Sequence, residues 1–400
     1  MSGVVIIGGG QGGARSAMEL RRAGYERSVA ILTNEAHVPY ERPPLSKEVL
    51  VRGTAATASH VVPLAELETR GIALHLDDPV IAIDATGKQV RTRSGKHYGY
   101  SHLIVATGAT ARRVPIPGVG FEGVLTLRDA GDAVHLRGRL ADGKRIGIIG
   151  GGVLGLEVAA AARSLGLDVV VLEQARNCLE RLLPPDAAAP VVALHRAKGV
   201  RILCGVRLER ICGEGKVSGI TLTDGTTLEC DLVIMATGSV PNDGLVAAAG
   251  GECAGGVLVD DQCRTSLADV FAVGDVALDR NSRLRQESWD NANRQAALVA
   301  SVIANSEPPI GAPAWFWTDQ YDLNLQVVGA PRAGDLLVAR PGSRDRQQIQ
   351  FYLRDGIVSG AVLFDSGRDR RAVAQLIGRR VDTAALADPR AALKQLVSYQ

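Results

Sequence analysis

One glycine pattern occurs twice in this chain, each time at the end of an apolar run. Val4-Val5-Ile6-Ile7 leads into Gly8-Gly9-Gly10-Gln11-Gly12-Gly13, and Ile146-Gly147-Ile148-Ile149 leads into Gly150-Gly151-Gly152-Val153-Leu154-Gly155. Gly8 and Gly150 allow a tight turn off a strand, and Gly10 and Gly152 lack the Cβ that would block a pyrophosphate. Gly13 and Gly155 let the following helix pack close to the sheet. The helix N-terminus then presents unpaired N–H groups to phosphate. A second strand ending near an acid is expected about 20 residues on, where the carboxylate takes ribose hydroxyls. Val29-Ala30-Ile31-Leu32 leads to Glu35, and Asp168-Val169-Val170-Val171-Leu172 ends at Glu173. Two such units in one chain predict two dinucleotides with electron transfer between them.

The 400 residues suffice for two to three domains, each with its own core. A hydrophobic fraction of 46% against 22% charged residues is that of a globular protein. The formal net charge of +2 supplies no global drive toward nucleic acid or membrane. No apolar run reaches the roughly 18 residues of a membrane span, and the first residues read as a strand rather than a signal peptide, so a cytoplasmic enzyme is expected. The six cysteines (Cys178, Cys204, Cys212, Cys230, Cys253 and Cys263) all follow residue 177 without a CxxC pair. They read as isolated thiols of a reduced protein, spaced for no metal site.

A second repeat locates the domain boundaries. His102-Leu103-Ile104-Val105-Ala106-Thr107-Gly108 recurs as Asp231-Leu232-Val233-Ile234-Met235-Ala236-Thr237-Gly238, a buried strand entering a glycine turn in each case. Val114-Pro115-Ile116-Pro117-Gly118 follows the first copy and Pro241-Asn242 the second, as crossings between domains. The expected layout is an α/β chain with two Rossmann-like dinucleotide-binding domains and a smaller C-terminal α+β domain. Residues 1–110 and 239–308 form the first domain, 111–238 the inserted second, and 309–400 the third. Within the first, Val270 to Asp275 reads as a strand ending in Gly-Asp, and Gln286 to Ile303 as a helix. In the third, Gln348 to Leu353 and Ile357 to Phe364 read as strands and Arg370 to Arg379 as a helix.

At this level of detail the chain resembles the flavoprotein ferredoxin reductases that feed bacterial oxygenases, within the glutathione-reductase-like superfamily. The resemblance runs along essentially the whole length. It rests on Pro39-Tyr40-Glu41-Arg42-Pro43-Pro44-Leu45-Ser46-Lys47, both glycine motifs, both Ala-Thr-Gly strands, Val273-Gly274-Asp275, Glu287-Ser288-Trp289 and Trp315-Phe316-Trp317-Thr318-Asp319-Gln320. It implies an FAD site at Gly8, Gly10 and Gly13 for the pyrophosphate and Glu35 for the adenosine ribose. Arg42 would approach the FAD phosphates, Lys47 the isoalloxazine edge and Asp275 the ribityl chain. Trp317 would pack beside the ring, with Thr107, Gly108 and Trp289 in the same FAD set. Gly150, Gly152, Gly155, Glu157, Glu173 and Gly238 would hold NAD, with Glu173 favouring NADH over NADPH. Glu157 resembles the family glutamate that pairs with the lysine near the flavin, so Lys47 and Glu157 would form a catalytic ion pair between domains.

The resemblance also implies the fate of the electrons. Disulfide and peroxide reductases of the superfamily use cysteines beside the flavin, in the stretch that reads Tyr40 to Lys47 here without a thiol. An external acceptor remains: hydride from NADH to FAD, then single electrons to a two-iron two-sulfur ferredoxin of Rieske or plant type. Arg368, Arg370, Arg371, Arg379 and Arg380 offer an acidic ferredoxin a basic surface. An oxygenase, of the kind used in aromatic hydrocarbon catabolism, would be the consumer. Two alternatives stay open, an NADH oxidase or diaphorase with a small-molecule acceptor, and a flavin redox sensor.

Overall fold

The computed structural model describes residues 3–397, which fall into two compact units. The first comprises the chain up to Arg42, Thr57–Thr110 and Ser239–Gly311; the second comprises Pro43–Ala56, Ala111–Gly238 and the described residues from Ala312 onward. The fold is α/β, with a five-stranded parallel sheet in each unit and an antiparallel sheet near the C-terminus.

In the first unit the parallel sheet runs in the order Val270–Ala272, His102–Val105, Val4–Ile7, Val29–Leu32, Ile72–His75. Valine and isoleucine dominate these strands because both faces are covered, which is the usual state of parallel strands. Ile6 and Ile31 pack on one side with Ala14, Ala17 and Leu20 of the helix Gln11–Arg22. Val5, Leu103 and Val105 pack on the other with Tyr100 and Val259. An antiparallel meander, Val80–Asp84, Gln89–Thr92 and His97–Gly99, precedes the Ala-Thr-Gly strand. The helix expected from Gln286 begins at Trp289, because Ser288 caps it by accepting the Asn291 N–H at 3.1 Å, and it runs to Ala304.

The second unit repeats that plan. Its parallel sheet is ordered Arg201–Cys204, Asp168–Glu173, Arg145–Ile149, Leu232–Met235, Val124–Leu125. The glycine-motif strand again lies between the acid-bearing strand and the Ala-Thr-Gly strand. A second meander, Leu208–Gly213, Val217–Leu222 and Thr227–Glu229, occupies the matching place in the chain. The same unit holds the five-stranded antiparallel sheet, ordered Trp315–Gln320, Leu323–Gly329, Ile357–Phe364, Gln348–Arg354, Leu336–Pro341. The helix expected over Arg370 to Arg379 stops at Leu376, since Gly378 adopts φ +82° and turns the chain. Among the described residues no helix is long and apolar enough to cross a membrane.

Each glycine cradle includes a close approach of helix to turn. A Cβ on Gly13 would stand 1.9 Å from the Gly8 carbonyl oxygen, and one on Gly155 would stand 2.0 Å from that of Gly150. Gly10 and Gly152 face open space, with nothing within 4 Å of where a Cβ would stand. Gly155→Ala should therefore lower stability by about 1–3 kcal/mol through overpacking, and Gly152→Ala should leave it unchanged. Thermal denaturation of the two variants checks the contrast; equal Tm losses would refute it.

Candidate functional site

The two cradles match contact by contact. Gly8 and Gly150 turn at φ +113° and +110°, and each would carry a Cβ 2.3 Å from the oxygen of Ala106 or Ala236. The N–H of Gly8 bonds Leu32 O and that of Gly150 bonds Leu172 O, both at 2.8 Å. Helices Gln11–Arg22 and Val153–Ser164 start from Gly10 and Gly152, with neither a side-chain cap nor an acid in the first turn. Their first turns thus carry no side-chain cap beside the open space at Gly10 and Gly152, as a phosphate requires. Beside the first cradle, buried Gln11 Oε1 and Arg15 Nε have no hydrogen-bond partner among the described residues. An acceptor and a donor left unsatisfied there fit a polar ligand. The residues present accordingly suit a dinucleotide in each unit.

The two acids differ in register. Ile7 pairs with Leu32 and Ile149 with Leu172, so Glu173 takes the position that Thr33 has in the first unit, and Glu35 lies two residues farther along. Glu173 Oε2 accepts the Gly151 N–H at 2.6 Å and Oε1 the Ala175 N–H at 2.7 Å. This anchors the carboxylate to the glycine turn. Glu35 is gripped differently: Tyr40 donates its hydroxyl at 2.5 Å and Arg42 forms an ion pair at 2.8 Å. The Ala-Thr-Gly turns also correspond. Thr107 donates to Asn242 O at 2.8 Å while Gly108 O accepts the Asn242 N–H, and Thr237 donates to Arg112 O at 2.9 Å while Gly238 O accepts the Arg112 N–H.

Lys47 and Glu157 meet, with Nζ and Oε1 2.9 Å apart and the side chains 14% and 6% exposed. The family resemblance led us to expect a pair joining two domains. Both residues fall in the second compact unit, where Pro43–Ala56 packs; Arg137 ties that segment down by donating to Leu50 O at 2.7 Å. Glu157 also accepts the Ser46 hydroxyl on Oε2 and the Thr318 hydroxyl on Oε1 at 2.6 Å. Three donors pin a carboxylate that burial would otherwise penalise. Lys47 Nζ has two acceptors, Glu157 and Pro43 O at 3.1 Å, for three N–H bonds.

Thr318 in turn accepts from Gln320 Nε2 at 3.1 Å, and Gln320 Oε1 lies 2.7 Å from His195 Nε2. Sequence patterns assign no role to Ser46, Thr318, Gln320 or His195. The available signal was polar side chains at alternate positions, 318 and 320, on the buried face of strand Trp315–Gln320. His195 offered none, lying inside helix Pro185–Ala197.

Other expected residues are less concentrated. Asp275 lies in a single turn of 3-10 helix at Gly274–Val276, and its backbone oxygen accepts from Arg285 at 3.0 Å. Trp289 donates its indole N–H to Glu41 at 2.8 Å. Trp317 stacks on Trp315, with ring centroids 5.0 Å apart. In the arginine run, Arg370 lies 4.4 Å over the Trp315 ring and Arg380 donates to Asp355 O at 2.8 Å, while Arg368 and Arg371 are exposed. The cysteines, whose spacing suggested isolated thiols, are not all isolated. Pairing of Glu173 with Cys204 brings the Cys204 sulfur within 3.8 Å of Cys178. Burial, then the neighbouring Cys204, pushes the Cys178 thiol up to about 12, which leaves it a poor nucleophile.

The chain is similar to known proteins along nearly its whole length. The family model for pyridine nucleotide-disulphide oxidoreductases matches residues 2–296, and that for the reductase C-terminal domain matches 315–397. A ferredoxin reductase subunit of 5,5'-dehydrodivanillate O-demethylase from Sphingobium is 37% identical over 99% of this chain and 98% of its own. The crystal structure of the ferredoxin reductase for the CYP199A2 system of Rhodopseudomonas palustris superposes with a TM-score of 0.93 at 35% identity, covering 99% of each chain. The reductase in the covalent putidaredoxin reductase–putidaredoxin complex gives 0.90 at 30% identity, over 99% of this chain and 98% of that one.

The buried histidine makes the site sensitive to acid. Burial lowers the pKa of His195 and the Gln320 hydrogen bond only partly offsets this, so the folded state keeps it neutral below the ordinary imidazole value of about 6.5. The unfolded chain then binds more protons, and stability is complete above about pH 6.5 and falls as pH drops. The limiting slope is about 1.4 kcal/mol per pH unit. Urea denaturation from about pH 7.5 down to 5 should show a shallower loss in His195→Asn than in the native protein; an unchanged slope would discount His195.

Proposed function

The chain belongs to the pyridine nucleotide-disulphide oxidoreductases, and within that family we propose that it is an NADH-dependent, FAD-containing ferredoxin reductase serving an oxygenase. The observation that carries this reading is the pair of matching open cradles at Gly10 and Gly152, one for each dinucleotide. Bound FAD would supply the step from a hydride donor to single electrons. The relatives named as ferredoxin reductases support an iron–sulfur acceptor of the two-iron two-sulfur class. So does the thiol-free segment Tyr40 to Lys47, which removes the cysteine relay of disulfide reductases.

The residues then divide as follows. Gly8, Gly10 and Gly13 admit the FAD pyrophosphate, and Glu35, steadied by Tyr40 and Arg42, takes the adenosine ribose. Thr107, Gly108, Asp275 and Trp289 would complete the FAD site, and Trp317 would pack beside the ring. Gly150, Gly152, Gly155 and Gly238 shape the NAD site. Lys47 would supply positive charge for the flavin ring, which favours the reduced form, and Glu157 holds that ammonium. Exposed Arg368 and Arg371 contribute to docking an acidic ferredoxin by steering.

Glu173 bears on the choice of nucleotide. Its carboxylate, fixed by two backbone N–H groups, suits the two ribose hydroxyls of NADH. A 2′-phosphate would bring about −1.5 to −2 charge against it, a repulsion of several kcal/mol at ~5 Å and an effective dielectric near 20 before screening. Arg176, three residues on, relieves part of that. At least a roughly tenfold preference for NADH follows.

Anaerobic addition of NADH to the FAD-loaded protein should bleach the flavin, and ferredoxin should then be required for rapid cytochrome c reduction, at a rate that falls with salt. Flavin left oxidised by NADH, or full activity without ferredoxin, would reject the reading. In a separate comparison, Glu173→Ala should narrow the NADH/NADPH ratio in kcat/KM by about tenfold; an unaltered ratio would free Glu173 of this role.

A further inference from the structure

The hydrogen bonds beyond Glu157 form one directed chain. Glu157 is acceptor-only in its ion pair with Lys47, so Thr318 must donate to it. The Thr318 oxygen then accepts from the Gln320 amide nitrogen, which turns the Gln320 oxygen toward His195. His195 must therefore carry its proton on Nε2. Its Nδ1 is left as an acceptor, and the Tyr321 hydroxyl lies 3.4 Å from it. Every donor points toward the carboxylate. Thr318 and Gln320 are 1% exposed and His195 is fully buried, so no water competes for these bonds.

We infer that Thr318, Gln320 and His195 are positioning residues for Glu157, and through it for Lys47, in the flavin reduction proposed above, on which this inference rests. The chain spans three segments of the second unit: helix Val153–Ser164 carries Glu157, strand Trp315–Gln320 carries the middle links, and helix Pro185–Ala197 carries His195. Aligned dipoles in a low-dielectric interior polarise one another. Here they favour a single rotamer of Glu157, with Oε1 shared between Thr318 and Lys47 and Oε2 held by Ser46. The direction of the Lys47 ammonium is thereby fixed before any ligand binds. The chain is no proton wire, because a carboxamide at Gln320 cannot pass a proton on without adopting its disfavoured imidic form. It acts by orientation and polarisation.

The test uses the FAD-loaded full-length protein. Thr318→Val keeps the side-chain shape and deletes the link between Gln320 and Glu157. Its stopped-flow rate constant for flavin reduction by NADH should fall about tenfold, while the NADH Kd stays within about twofold, and Thr318→Ser should restore the rate. A native rate in Thr318→Val, or a loss confined to Kd, would overturn the proposal. Should Thr318→Val fail to fold, Gln320→Met breaks the next link and must show the same split. A second readout is independent of turnover. Imidazole ¹⁵N NMR should report His195 neutral with its proton on Nε2 between about pH 6 and 8, and Gln320→Met should remove that tautomer preference. A proton on Nδ1 in the native protein would refute the directed chain. If NADH fails to bleach the native enzyme, the functional reading fails, and the NMR result still decides the order of protons.

Discussion

The approach of a helix to the turn that precedes it governs the rest of each unit. Gly13 must pass Gly8 O, and Gly155 must pass Gly150 O, at a separation that leaves a Cβ only 1.9 and 2.0 Å from those oxygens. Only glycine permits this, and the reward is a helix N-terminus brought against the strand end with its first N–H groups uncapped. The turn in turn sets the acid. In the second unit, Gly151 N–H reaches Glu173, while a side chain at 151 would strike Cys178. Glycine at successive positions therefore serves different purposes: turning, admitting a neighbouring side chain, leaving ligand space and packing a helix.

Burying Glu157 and Lys47 is costly unless their hydrogen-bonding capacity is met. Lys47, Ser46 and Thr318 satisfy most of the carboxylate, and Gln320 and His195 extend the arrangement into the C-terminal sheet and a helix of the dinucleotide fold. Within the second unit, this gives the antiparallel sheet a chemical as well as a structural connection to the dinucleotide fold. Replacing such a network by an apolar core would often cost little stability, so its presence is better explained by orientation than by folding energy. The ion pair and its supporting chain are thus one element.

Much of the site was legible because its cause is local. The glycine spacing, the apolar strands at Val4 and Ile146, and the repeated Ala-Thr-Gly turns each reflect constraints acting within a few residues. The helix expected through Arg379 ended at Leu376 because Gly378 turns with positive φ, a local feature that the apolar periodicity masked. The antiparallel meanders before both Ala-Thr-Gly strands went unrecognised, their strands being short and half exposed. The contact of Cys178 with Cys204 joins residues 26 positions apart and arises from the pairing of Glu173 with Cys204; no local pattern announces it.

Residue types and their spacing alone determined that this chain builds two parallel-sheet units with open glycine turns, since steric exclusion at glycine and the period of a buried strand operate along the sequence. They also determined that no thiol stands between Tyr40 and Lys47. Only the tertiary structure decided that Pro43–Ala56 joins the second unit, that Glu157 is held by Lys47, Ser46 and Thr318, and that His195 stands behind Gln320. Those contacts link residues more than a hundred positions apart, and burial and hydrogen-bond satisfaction, which select them, act on neighbours in space.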